Sequence, residues 1–313
     1  MKAILKVILK YTVTLSTIYI VVIGSKVTQC FATNINGTYL AESEYVQVDG
    51  NESYPVIIES GTQAILNSIV QKSKTAHIRN KPIGDIIQWT SLQLLNSPYV
   101  YYLLDKTTPE YLYISLSKTD CVLFTEEVVV ISRLIKENKL TLFNYINGIK
   151  QLRYHGKLAY CNRNHYFKDW VIMNEKQGIV IDAGSRLTKT KLPFKSDIMS
   201  TLIEQNESNI HYSNLSCIRD REKIVNFETV GFITLKELPK YLKDIHPGDI
   251  IGIIRAPDKS DAVHHLAIAY VHNGEVGIIH ASSIASKVVI YPSLMGYLEK
   301  FKDSLGIVLI RVQ

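Results

Sequence analysis

Cys121 follows Asp120 directly and opens a run, Val122 to Lys136, that reads as a helix. The start of a helix carries unpaired backbone N–H groups and the positive end of the dipole, and both favour a thiolate there. A nucleophilic cysteine also needs a base within hydrogen-bond reach. The plain alternative is an inert cysteine buried in a core helix.

Candidate bases lie in a C-terminal hairpin. Asn273-Gly274 is the dipeptide of a two-residue turn. With those two residues as the loop, His272 pairs with Glu275 and the register runs outward, setting Ala267 opposite His280 and His265 opposite Ser282. Side chains alternate along a strand, so His265 and His280 fall on one face as diagonal neighbours. The same parity turns His264 to the other face, and a single bulge would break it. His265 is then placed to take the Cys121 proton and return it to a leaving amine, while His280 holds its tautomer. Alternatively, one of the two merely hydrogen-bonds in the core or lies on the surface. Cys121, His265 and His280 would also suit zinc, but no close-spaced ligand pair such as C-x-x-C accompanies them, so no metal is expected.

A second cluster runs Arg163-Asn164-His165-Tyr166-Phe167-Lys168-Asp169-Trp170. On a helix, His165 and Asp169 stand four apart and share a side. Aromatic and polar residues so interleaved suit a sugar- or peptide-binding wall. They equally suit an amphipathic helix with Phe167 and Trp170 in the core. Tyr99–Tyr102, with three tyrosines in four residues, carries the same ambiguity; Tyr99 either points its hydroxyl into a site or packs in a strand.

The elements that must position these groups follow a simple order. Helices are expected at 60–72, 81–96 (ended by Ser97-Pro98), 121–136, 141–153 and 163–176. Thr119 and Asp120 suit a cap for the third, and Gly178 suits the end of the last. The β-branched content of 122–136 means that packing rather than propensity must hold it helical. The stretch 99–118 reads as largely extended, and 33–55 as a polar, turn-rich extension. Residues 180–245 are irregular and read as an insertion or lid. From Gly248 the pattern turns to short strands at 249–255, 265–271, 276–281, 287–291 and 306–312, with a short helix at 294–302 between the last two. Helices followed by antiparallel strands indicate an α+β fold.

The first 32 residues stand apart. Lys2, Lys6 and Lys10 precede an apolar stretch, Tyr11 to Gly24, and Cys30-Phe31-Ala32 offers a cleavage site. This pattern reads as a secretion signal cleaved near Ala32, leaving no stable membrane span, with an uncleaved membrane anchor or a lipoprotein anchor at Cys30 as the alternatives. The chain's net charge of +6 comes largely from this segment, which holds four Lys and no acid; setting it aside leaves +2. No basic stripe points to nucleic acid. The remaining 281 residues, 33–313, suffice for one sizeable core. They keep three cysteines, Cys121, Cys161 and Cys217. Export would place them in an oxidising compartment, where an odd count leaves at least one thiol free. A Cys161–Cys217 disulfide with Cys121 free satisfies that count, and so do three reduced thiols.

Taken together, these segments resemble the N-acetylmuramoyl-L-alanine amidase-like branch of the NlpC-type, papain-like cell-wall hydrolases. The likeness rests on Asp120-Cys121 with Phe124-Thr125-Glu126, on R-x-H-Y-F-x-D-W from Arg163 to Trp170, and on Gly248-Asp249-Ile250-Ile251. It continues through His265-Leu266-Ala267-Ile268 and His280-Ala281-Ser282-Ser283, with Ser97-Pro98-Tyr99 upstream. It spans about residues 60–312. Lys118-Thr119 and Leu123 depart from the family pattern without removing a chemical group. The resemblance implies a papain-like α+β core at 60–313, after a signal (1–32) and an extension (33–59). It also implies peptidoglycan or muropeptide substrates and no cofactor. Cys121, His265 and His280 become a Cys-His-His set. The Cys121 N–H, with Tyr99, becomes an oxyanion donor pair, and Arg163, His165, Tyr166, Asp169 and Trp170 become a substrate wall. The bond expected to break joins N-acetylmuramic acid to L-alanine. The alternatives are the γ-D-glutamyl–diaminopimelate bond, a module that binds muropeptides without cutting them, and an acyltransferase.

Overall fold

The computed structural model of the chain describes residues 10–13, 16–21, 28–33, 39–48, 52–104, 110–193, 195–205, 212–256 and 263–313. Of the expected signal segment, residues 1–9, 14–15 and 22–27 lie outside the described residues.

Five strands come first: β1 (Lys10–Val13), β2 (Ser16–Val21), β3 (Thr28–Thr33), β4 (Tyr39–Val48) and β5 (Glu52–Ile58). Each pairs antiparallel with the next. After α1 (Thr62–Thr75) and α2 (Ile83–Gln93), β6 (Leu112–Ile114) returns to pair parallel with β5. Within the segment expected to be turn-rich, 33–55, the described residues 39–48 and 52–55 lie in strands β4 and β5. Val56, Leu112 and Ile114 show why: they are fully buried in the main core, which places β5 and β6 against the helices.

Next come α3 (Cys121–Glu137) and α4 (Leu142–Arg153). The Asp120 carboxylate caps α3 by accepting from the N–H groups of Val122 and Leu123 at 2.9 and 2.8 Å. The Thr141 hydroxyl caps α4 in the same way. Such caps are worth about 1 kcal/mol each. Val128, Val129, Val130 and Ile131 are buried, with α3 packed between α2, α4 and the C-terminal sheet. Tertiary burial thus offsets the low helix propensity of this β-branched run. Asn138, at φ 60°, ends it in the left-handed conformation that asparagine tolerates.

The chain continues through α5 (Phe167–Lys176), β7 (Val180–Asp182), α6 (Gly184–Leu187), α7 (Ile198–Glu204), α8 (Leu215–Phe227), β8 (Ile233–Thr234) and α9 (Leu238–Tyr241). β9 (Ile250–Arg255), β10 (Val263–His272), β11 (Glu275–Ser282), β12 (Lys287–Tyr291), α10 (Leu294–Glu299) and β13 (Ser304–Val312) complete it. These strands form one antiparallel sheet in the order β12-β11-β10-β9-β13-β7, with β8 also on β13. The segment expected as an insertion, 180–245, is thus tied to the sheet near both ends through β7 and β8.

The sheet is buried on both faces. Ile250, Ile254, Ile268, Ile279 and Ile310 face the α3 side. Ile251, Ile253, Ala267, Ile278 and Leu309 pack with Leu294 and Leu298 of α10. Burial on two sides explains why β9 reads as an apolar run rather than an alternation. Gly248 (φ 76°) precedes β9, where a side-chain Cβ would fall 2.3 Å from the Gly84 carbonyl oxygen of α2. The architecture is α+β, with helices laid on a C-terminal antiparallel sheet. Among the described residues, no helix is long and apolar enough to cross a membrane.

Candidate active site

Asn273 and Gly274 form the β10–β11 turn, both at positive φ. His272 pairs with Glu275, and the register runs on to Ile268 opposite Ile279. Carried three residues further, this register sets His265 and His280 on one face. Their rings meet there, with Nε2 of His265 2.8 Å from Nδ1 of His280 and planes 87° apart. A bulge between Val263 and His265 affects only the pairing with β9. His264 points away, exposed and 3.0 Å from the Arg255 guanidinium.

Cys121 is the first residue of α3, and its side chain keeps a partial opening to solvent. Its sulfur is held by the backbone N–H of Leu266, the residue after His265, and by those of Cys121 and Val122. Those donors favour a thiolate, as the helix start led one to expect. Burial and the Asp120 carboxylate outweigh them and push the thiol up to about 12. The resting sulfur is therefore a neutral thiol, which corrects the expectation of a preformed thiolate. Burial holds His265 down to about 3, with His280 and His264 adding to it. Burial likewise holds His280 down to about 4. Both imidazoles are neutral at physiological pH, so one nitrogen of each accepts a proton.

Tyr99 is placed by backbone on two sides. Its N–H donates to the Ser286 carbonyl at 2.9 Å, beside β12. The adjacent Val100 N–H donates to Thr119, two residues before Cys121, also at 2.9 Å. The Tyr99 hydroxyl is pushed above its ordinary value by burial first and by Cys121 next.

A narrow cavity of about 60 Å³ opens at the first turns of α3, lined there by Val122, Thr125 and Glu126, with Leu266 also lining it. Asn164, His165, Tyr166, Phe167 and Trp170 make the opposite wall. Of the residues expected as a substrate wall, His165, Tyr166 and Trp170 line this cavity. His165 donates from Nε2 to the Tyr160 carbonyl (2.8 Å) and is held neutral by burial, at about 3. Tyr166 is fixed through its hydroxyl, which donates to Glu222 at 2.5 Å and accepts from the Met199 N–H.

Arg163 and Asp169 depart from expectation. The Arg163 guanidinium turns away from the cavity to the Leu104 carbonyl and Glu110, at 2.9 and 3.2 Å. Helix α5 begins only at Phe167, so His165 and Asp169 share no helical face; Asp169 pairs instead with His155 at 3.1 Å. The chain reaches the wall as a 3-10 turn, Tyr160–Asn162, and then extended backbone, whose side-chain directions helical periodicity does not give. Cys161 in that turn is disulfide-bonded to Cys217 of α8, with Cα atoms 5.8 Å apart.

Sequence reading missed Tyr297 on α10. Its ring lies against His280 (centroids 5.0 Å apart) and His265 (6.4 Å). Nothing in the spacing of a six-residue helix signals this. It also missed the ion pair beneath the cavity, Glu126 to Arg153 at 2.7 Å, both side chains buried. Among the described residues, no group of three or more His, Cys, Asp or Glu is arranged to hold a metal.

Residues 89–307 match the family described as N-acetylmuramoyl-L-alanine amidase-like, a span that includes every site residue named above. Three solved structures are similar in fold. An N-acetylmuramoyl-L-alanine amidase from Bacteroides uniformis is 24% identical, covering 74% of this chain and 99% of its own, with a TM-score of 0.68. A Bacteroides fragilis protein provisionally described as a xylanase is 26% identical, covering 72% and 100%, at 0.66. A Legionella pneumophila protein is 20% identical, covering 80% and 97%, at 0.55. No curated protein matches the chain.

Proposed function

The chain belongs to the N-acetylmuramoyl-L-alanine amidase-like family, and on that premise we propose that it is an exported, papain-like cysteine amidase of peptidoglycan or its fragments. In this reading it hydrolyses the amide between N-acetylmuramic acid and L-alanine. The observation that carries the chemistry is the 2.8 Å contact between His265 Nε2 and His280 Nδ1. With Nε2 engaged, Nδ1 of His265 is the nitrogen left for the Cys121 proton. The base role requires His265 to donate from Nε2 to His280, which fixes its tautomer.

Because both thiol and imidazole rest neutral, proton transfer accompanies attack. As the sulfur closes on the lactyl carbonyl, its proton passes to His265 Nδ1. The carbonyl electrons move to oxygen, where the Cys121 N–H and the Tyr99 hydroxyl are the proposed donors. Such a donor is typically worth about 3 kcal/mol in the transition state. Collapse breaks the C–N bond, and the L-alanine amine leaves with the proton from His265. Water, deprotonated by the same imidazole, then hydrolyses the thioester and frees Cys121.

The Cys161–Cys217 disulfide is the kind of linkage that persists in oxidising compartments, and it supports export. The test is digestion of one purified muropeptide with mass identification of both halves. The proposal expects the intact stem peptide and its free sugar. N-acetylmuramyl-L-alanyl-D-glutamate, with the sugar still attached, would instead mark the γ-D-glutamyl bond as the one cut, and an undigested muropeptide would sink the amidase reading.

A further inference from the structure

The segment after Tyr99 is built in an unusual way. Val100, Leu103 and Leu104 turn inward onto Leu123 and Tyr113. Tyr101 and Tyr102 between them turn outward and are 55% and 71% exposed. Their rings are not scattered: Tyr99 meets Tyr101 edge-on with centroids 4.8 Å apart, and Tyr101 meets Tyr102 at 5.9 Å. Tyr102 sits at φ 58°, a left-handed conformation that costs a bulky residue energy and marks functional segments more often than structural ones. Exposing two adjacent aromatic rings gives the fold nothing. The three inward residues already anchor the loop, and polar residues at 101 and 102 would serve solubility better.

The location decides what the ledge is for. Leu123 lies two residues beyond Cys121 in the first turn of α3, so the loop is fixed to the element that carries the sulfur. Leu123 stands about 100° around the helix from Val122, and Val122 lines the cavity with Glu126 and Trp170. The tyrosine ledge and the cavity thus flank Cys121 on different sides of α3. An amide substrate also has two arms. The cavity wall offers half-buried polar side chains, Asn164 and His165, suited to a peptide. The ledge offers flat, open ring faces and phenol hydroxyls. A pyranose presents a face of C–H groups that packs on an aromatic ring, with hydroxyls at its rim.

We infer that Tyr101 and Tyr102 form a stacking platform for the sugar ring on the acyl side of the scissile amide, making them specificity-determining residues for glycan-bearing substrates. This rests on the amidase reading above and adds the sugar subsite to it.

The experiment compares two substrates with the same amide: N-acetylmuramyl-L-alanyl-D-isoglutamine and D-lactoyl-L-alanyl-D-isoglutamine, which lacks the sugar. The wild type is expected to prefer the first. In the Tyr101→Ala/Tyr102→Ala double variant, the ratio of kcat/KM values, muramyl over lactoyl, should fall by roughly ten- to a hundredfold, from about three- to tenfold per ring. The Tyr101→Phe/Tyr102→Phe variant should hold the ratio, because the stacking face survives. A wild type that cuts both substrates without preference, or an Ala variant whose ratio does not move, overturns the platform while leaving the amidase reading intact. A Phe variant that loses the ratio as fully as the Ala variant overturns stacking as the cause. A wild type that cuts neither substrate removes both.

Discussion

His265 and His280 meet edge to face, Nε2 to Nδ1 at 2.8 Å, on neighbouring strands whose register a two-residue turn sets. Adjacent His264 lies on the opposite face against Arg255. His265→Ala is therefore expected to lower kcat by 10²-fold or more, the scale of losing a positioned base. His280→Ala should cost less, since a base without its orienter still reaches the thiol in some conformations. His264→Ala should leave kcat within a few-fold of wild type. Steady-state kinetics on a muropeptide checks all three, and equal losses at 264 and 265 would refute the register argument.

The neutral resting pair predicts an unusual pH profile. Alkylation of Cys121 by iodoacetamide should stay slow through neutral pH and rise only on the alkaline side, since burial and Asp120 push the thiol to about 12. A preformed thiolate–imidazolium pair would instead give fast labelling that levels off below pH 7. Measuring the labelling rate from pH 5 to 10 separates the two.

Stability follows from the same groups. His165, His265 and His280 are held to about 3, 3 and 4 in the fold, against about 6.5 unfolded. Between those limits the unfolded chain binds more protons than the folded one, so stability falls as pH drops from about 6.5 towards 4. Cys121 acts at the other end: raised in the fold, it withdraws stability as pH climbs above the unfolded thiol value. Urea midpoints should therefore be lower at pH 4.5 than at pH 7. A midpoint unchanged between them would show that the histidines titrate normally in the fold.

Which parts of this were legible depended on how local the determining forces were. Asn273-Gly274 fixes a two-residue loop, and from it the positions of His264, His265 and His280 follow by alternation alone. Asp120 before an apolar run announces the start of α3, and the cap is there. The charge state of Cys121 was misjudged because the helix end is a local cue while desolvation by the sheet is not. Arg163 and Asp169 were misplaced for a related reason. Their side chains are engaged by Glu110 and His155, partners that no periodicity connects to them. Strands β7 and β8 are three and two residues long. They carry no readable alternation and exist because β13, far along the chain, has an edge to offer.

Beneath the cavity, Arg153 donates to Glu126 at 2.7 Å and to the Tyr113 carbonyl at 2.8 Å, and both side chains are nearly inaccessible. Removing one partner leaves a buried charge or forces it to neutralise. Arg153→Met is therefore expected to destabilise by about 3–5 kcal/mol. Adding Glu126→Leu should recover much of the loss, because two apolar side chains need no pairing. Chemical unfolding of the single and double variants decides the point. A double variant as unstable as the single would mean that Glu126 also serves the fold through other contacts.

The Cys161–Cys217 bond joins the turn leading into the Asn164–Trp170 wall to α8, and two further contacts reinforce that junction, Tyr166 to Glu222 and Arg221 to Asp169. The bridge spans 56 residues of sequence, and closing a loop of that length in the unfolded chain is worth about 4 kcal/mol in the entropic account. Cys161→Ser/Cys217→Ser should lose up to that amount. The wall, not the nucleophile, is what the bond holds, so KM should rise more than kcat falls. Mass spectrometry of the unreduced wild type should find the protein two hydrogens lighter than its sequence, with Cys121 still open to alkylation. A variant with wild-type KM and a lowered melting temperature would assign the bond to the fold alone. A kcat loss larger than the KM change would mean that α8 supports the Cys121–His265 geometry as well.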